Sequence, residues 1–132
     1  MNHKMAVACR VLLGLIFLAA GANGLLVVFK LTPVLPTSPK AMEFFKLEYL
    51  LILEKVSEFI CGILLITNRF VPLSLSVLAP IIVNILGFHL FEDPKMLPLA
   101  LLLIVLEAYL VWVYRRHFAG ILTSKAKMTE DA

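Results

Sequence analysis

Glu54-Lys55-Val56-Ser57-Glu58-Phe59-Ile60-Cys61-Gly62 sets three ionisable side chains inside an otherwise apolar run, Tyr49 to Ile66. At about 1.5 Å per residue such a run is long enough to cross a bilayer. A charge at mid-membrane depth costs about 2.5–3.5 kcal/mol even on the lenient insertion scale. Residues of this kind persist by facing a bundle interior or a wet cavity, and they mark function by default. At about 100° per residue, Leu51, Glu54, Lys55, Glu58, Cys61 and Gly62 fall within about 120° of arc, so one face carries the charges. The opposite side is free to meet lipid. Lys55 lies one turn before Glu58 and can neutralise it locally. One carboxylate is then in excess, either holding its own proton or paired with another helix. The group reads as a polar site shared between helices or as a self-neutralised seam, and the shared site is the expectation taken further.

The whole chain has 132 residues, 61% of them hydrophobic, with a mean hydropathy of +0.98. Soluble domains are about 45–50% apolar, so the composition predicts a membrane protein. Four spans of about 20 residues fill the chain with short loops between them and leave no length for a separate soluble domain. The predicted fold is all-α, a single four-transmembrane-helix bundle with spans at about 7–29, 48–67, 71–91 and 96–114. Its net charge of +3 sits mainly at span ends, where it orients the chain and meets lipid headgroups, so no nucleic-acid partner is expected. Cys9 and Cys61 belong to no CxxC and no zinc-type cluster, and no metal site is expected. Their depths differ by roughly 10 Å, too far for a disulfide.

Span one opens like a secretory signal, with Lys4 and Arg10, an apolar run, then Ala20-Gly21-Ala22. Apolarity resumes at Leu25–Phe29, which predicts retention as a span. Gly14, Gly21 and Gly24 share a face with Arg10 and Phe17, and small residues let helices approach closely in lipid. That face is expected to pack on another span. Asn23 lies about 140° from Arg10 and either lines a site or bonds a neighbouring helix. In the loop at 30–47, Pro33, Pro36 and Pro39 break helix. Ser38-Pro39 reads as an N-cap and first-turn pair. A short helix over 41–47 follows, expected as an anchor at headgroup level rather than a lid.

The four-residue turn Thr67–Phe70 makes spans two and three antiparallel neighbours. Pro80 removes the donor for the Ser76 carbonyl and predicts a kink in span three. Asn84 lies on the kinked side, with His89 about 140° round the helix. His89 has no metal-ligand companions and either joins a site or bonds loop carbonyls. Glu107 is the only charge of span four and needs a partner: Lys55, Arg10 reaching inward, or its own proton. Trp112 and Tyr114 are interface anchors, and 118–132 is a surface turn and polar tail. Seven Lys/Arg gather on the side of the termini (Lys4, Arg10, Arg69, Arg115, Arg116, Lys125, Lys127) and four on the other, with Lys55 between. The positive-inside rule then predicts an inner-type cell membrane with both termini cytoplasmic and the proline-rich loop outside. The two halves echo each other only weakly, an asparagine in spans one and three and a glutamate in spans two and four.

The assembled pattern resembles the DoxX-like family of small four-helix membrane proteins. The matching stretches are Arg10-Val-Leu-Leu-Gly-Leu-Ile-Phe-Leu, Lys55-Val-Ser-Glu58-Phe-Ile-Cys-Gly62-Ile-Leu-Leu and Asn68-Arg69-Phe70-Val-Pro72-Leu. They continue as Ala79-Pro80-Ile-Ile-Val-Asn84-Ile-Leu-Gly-Phe88-His89-Leu and Glu107-Ala-Tyr-Leu. The resemblance runs from about residue 8 to 122. It implies a four-helix bundle and strengthens Glu58, Asn84, His89 and Glu107 as site residues; Glu54 falls outside the family pattern. It also implies association with redox enzymes, as in a subunit of thiosulfate:quinone oxidoreductase, or with membrane assembly. The chain carries no haem-type histidine pair and no flavin or nucleotide motif, so electron transfer would need a diffusible quinone or a partner subunit.

The expectation is therefore a subunit without catalytic residues or covalently bound cofactor, accessory to a quinone-linked oxidoreductase. It binds a quinone-like or amphiphilic molecule at Glu58, with Asn84 orienting the ligand and Glu107, Lys55 and Glu54 setting the charge balance. His89 guards the outer mouth, and Asn23 is a further lining candidate. The rival is an assembly factor or scaffold whose glycine face meets a partner. A proton-coupled transporter ranks third and would need homo-oligomers, since four spans make a thin gate.

Overall fold

The computed structural model describes residues 2–35 and 37–130. Pro36, one of the loop prolines, and the last two residues of the tail fall outside the described residues. The described chain is helical, without strands. Helix α1 runs His3–Val28, α2 Pro39–Phe44, α3 Glu48–Ile66, α4 Val71–Phe91 and α5 Leu97–Val113, the last preceded by a tight turn at Pro94–Met96. The four long helices lie within a few residues of the expected spans. Three stretches are long and apolar enough to cross a membrane: His3–Val28, Val71–Phe91 and Pro94–Val113. Helix α3 matches them in length, at 19 residues, but carries Glu48, Glu54, Lys55 and Glu58.

The long helices form a closed ring in which α1 packs on α3, α3 on α4, α4 on α5, and α5 back on α1. The centre is filled by Leu13, Phe17, Leu65, Leu75, Leu78, Ile82, Leu103 and Leu110. The α1–α3 contact is the most intimate, and glycine makes it so. A Cβ on Gly62 would stand 2.6 Å from the Leu18 backbone nitrogen and 2.8 Å from the Gly14 carbonyl oxygen. One on Gly21 would stand 2.7 Å from the Phe59 nitrogen. The expected face Arg10, Gly14, Phe17, Gly21 and Gly24 is the buried face of α1. It is spent inside the protein against α3, which removes the free small-residue surface that the scaffold reading required.

Helix ends are closed by local chemistry. The α3 C-terminus has Asn68 in the left-handed region (φ 58°), its N–H on the Leu65 carbonyl and the Arg69 N–H on the Leu64 carbonyl at 2.9 Å. This is the Schellman arrangement. Lys30 plays the same part after α1 (φ 62°), with Leu31 N–H on the Leu26 carbonyl. The Arg10 guanidinium donates to the carbonyls of Leu65 and Ile66. A buried cation thus meets the negative end of the α3 dipole, and Arg10 does not reach inward towards Glu107. Helix α4 continues through Pro80 as one element.

The glycine packing sets a testable contrast. Gly62→Ala is expected to destabilise the detergent-solubilised protein by about 2–3 kcal/mol, because a methyl group has to displace backbone. Gly87→Ala meets nothing within 4 Å and is expected to be neutral or stabilising by up to about 1 kcal/mol. Thermal or denaturant unfolding of the two variants checks this.

Candidate functional site

The charged face of α3 is buried as its spacing predicts: Leu51, Lys55, Glu58, Cys61, Gly62 and Leu65 point inward, while Leu53, Ile60 and Ile63 are exposed on the far side. Lys55 reaches its position because Gly24 leaves room for it. A Cβ on Gly24 would collide with Cγ and Cδ of the Lys55 stem. The stem lies along α1, and the ammonium donates to Glu58 Oε2 at 3.1 Å and lies 3.6 Å from Glu54 Oε1. The Phe45 ring covers it at 5.3 Å from the ring centroid. Glu58 is 1% exposed, and its other oxygen has no partner. The three groups form one compact triad within a single helix, with one acid more than base.

The remaining candidates do not join it. Glu107 is buried on α5, and neither of its oxygens has a hydrogen-bond partner. It pairs with neither Lys55 nor Arg10. Cys61 of α3 is buried as well. Ser74 Oγ is likewise buried and unpartnered, and both cysteines are free thiols. Asn84 is exposed on the outside of α4, away from the triad, because α4 turns its Leu75, Leu78 and Ile82 inward. His89 Nδ1 pairs with the Asp93 carbonyl at 2.9 Å and its ring stands edge-on to Phe88, which ties it to its own turn. Asn23 Oδ1 accepts from the Val34 and Leu35 amides, both at 2.8 Å. Its role is to pin the loop after α1 back onto that helix.

Helix α2 lies across the end of the bundle, tied to its neighbours at both ends. Ser38 caps it through the Ala41 amide at 3.2 Å. Lys40 Nζ donates to the Glu92 carbonyl at 2.6 Å, and Phe44 meets Phe88 edge-on at 6.3 Å. The segment therefore bridges from α1 through α3 to the end of α4. Beneath it lies a cavity of about 420 Å³, walled by Val27 and Val28 of α1, Met42 and Phe45 of the lid segment, and Leu51 of α3. Phe45, one of its lining residues, also lies over the Lys55 ammonium. The residue-by-residue reading missed this vestibule, since it placed the site at the midplane beside Glu58. A larger cavity, about 550 Å³, opens at the opposite end between α1 and α5. Neither cavity is lined by Glu58, Asn84 or Glu107. Among the described residues no cluster of His, Cys, Asp and Glu could hold a metal ion.

No family model matches this chain, and neither a curated relative nor a solved structure shows significant similarity to it.

Two outcomes test the geometry. Lys55→Met leaves two buried carboxylates without their cation and is expected to cost about 3–5 kcal/mol, most of it recovered when Glu54 and Glu58 are also made apolar. Denaturant unfolding of the single and triple variants measures both. At the lid, the Ser38 hydroxyl beside Asp93, with the Lys95 N–H, holds the Asp93 carboxyl below its ordinary range. A lowered folded pKa stabilises above the ordinary carboxylate pKa of about 4 and is lost as pH falls through the folded value. Protection factors for amide exchange of residues 39–44 should therefore fall below about pH 4, and in Asp93→Asn they should be low at neutral pH already and lack this step.

Proposed function

We propose that this chain is a DoxX-like, four-span protein of an inner-type membrane that holds a quinone-like or other amphiphilic small molecule under its lid. It performs no chemistry of its own and serves a redox partner. The observation that carries the reading is the vestibule whose lining residue Phe45 also lies over the Lys55 ammonium. Its size falls within the usual range for small-molecule sites, about 300–1,000 Å³. Its walls are largely apolar, with Lys30, Lys46 and Glu48 at the rim. An aromatic or quinonoid ring that displaces Phe45 would meet a cation held in place by Glu54 and Glu58. An apolar tail would leave past Val27 and Val28 towards lipid.

The fourth span is supported by the way α3 handles its charges. Lys55 and Glu58 face inward with Glu54 half-buried beside them, Glu48 lies at the helix start, and the outer side is apolar like those of the other three helices. Orientation is supported by the gathering of Arg10, Arg69, Arg115 and Arg116 at the end where both termini lie. The redox partner rests on the family resemblance, carried here by Lys55-Val-Ser-Glu58 and Ala79-Pro80…Asn84…Phe88-His89. Glu58 keeps its central place as the group that positions Lys55. Asn84 and His89 drop out of the ligand shell.

Decylubiquinone is the probe. The purified protein is expected to bind it, Met42→Trp to block the vestibule, and Glu58→Gln to weaken binding by about tenfold or more through loss of a charge-assisted hydrogen bond. Equilibrium dialysis in detergent measures all three. Unchanged affinity in both variants would sink the reading.

A further inference from the structure

The cavity at the end opposite the lid belongs to no part of the proposed vestibule. It lies where the N-terminus of α1 meets the C-terminus of α5 and encloses about 550 Å³. One side is apolar, with Ala6, Val7 and Val113; the other carries Arg115, Arg116, His3 and His117. No acidic residue lines it, and neither arginine takes part in a salt bridge among the described residues. The sequence explains why: there is no Asp or Glu before Glu43, and none from Ala108 to Thr129. The two arginines are not equivalent. Arg115 is held in place, donating to the Trp112 carbonyl at 2.9 Å and stacking over the Trp112 ring at 4.8 Å. Arg116 is exposed, with no side-chain hydrogen bond. A fixed guanidinium beside a free one, next to an apolar wall at the edge of two apolar helices, suits one chemistry: a phosphate ester joined to hydrocarbon.

We propose that this cavity binds the phosphate headgroup of an anionic phospholipid, with Arg115 and Arg116 on the phosphate oxygens and the first methylenes of an acyl chain against Val7 and Val113. Guanidinium groups match phosphate bidentately, and basic pockets between spans are a recurring form of anionic-lipid recognition. The position also couples the two ends of the chain, since α1 and α5 meet there and a shared lipid would bridge them. The proposal is independent of whether the vestibule takes a ligand.

The test is native mass spectrometry of the full chain released from nanodiscs of phosphatidylglycerol, of phosphatidylcholine, or of an equal mixture. Phosphatidylglycerol is expected to stay bound one per chain, and phosphatidylcholine to leave. Arg116→Gln should lower retention about fivefold, the effect of one cation at a membrane surface, and Arg115→Gln/Arg116→Gln further. Arg69→Gln removes a cation from the same end of the bundle but outside the cavity, and should leave retention unchanged. Equal retention of both lipids, or an equal loss with Arg69→Gln, would reduce the effect to diffuse surface charge and overturn the site. If inorganic phosphate displaces the lipid at low millimolar concentration, the pocket selects a free anion, and the lipid assignment fails.

Discussion

The lid end of this bundle depends on how one buried ammonium group is held. The Lys55 stem lies in the space left by Gly24, its charge sits between Glu54 and Glu58, and Phe45 closes over it. Burying a charge is tolerable only when the partner groups are in place before folding ends. Here both partners come from the same helix, so the triad forms as α3 forms. The glycines of α1 then allow the pair to close without a void. Electrostatics and packing are thus settled by the same contact: remove the glycine and the lysine has no channel; remove the acids and it has no counter-charge.

Much of this was legible in the sequence. Helical spacing alone identified the buried face of α3, the glycine face of α1 and the Ser38-Pro39 start of α2, because these are relations within one helix. Relations between helices were not legible. Asn84 was expected at the site, yet α4 is rotated by its inward row of Leu75, Leu78 and Ile82, and the amide faces out. A periodicity gives angles relative to a neighbour on the same helix; it does not give the rotation of that helix in the bundle. Arg10 was a candidate partner for Glu107, but a long side chain can turn either way along a helix, and the open carbonyls at the end of α3 were closer. The expectation of one hollow shared by all the charges failed for the same reason. The triad closes on itself, and Glu107 stands apart on α5.

The two ends of the molecule are built on opposite plans. At the lid end Lys40 pairs with Glu92 and Lys55 with its two acids. At the other end no lysine or arginine has an acidic partner among the described residues, and Arg10 donates to backbone carbonyls. The matched end holds its own charges in register; the unmatched end is open to anions from outside the chain.

Helix α2 contributes no buried residue; Lys40 and Phe44 fasten it to Glu92 and Phe88, and Phe45 just after it lies over Lys55. Exposed contacts of this sort are each worth about 1 kcal/mol or less. The central leucines beneath it are untouched when they break. Lifting the lid is therefore a partial opening, with a free-energy cost well below that of global unfolding. The end of the bundle under α2 can open many times within the lifetime of the folded core.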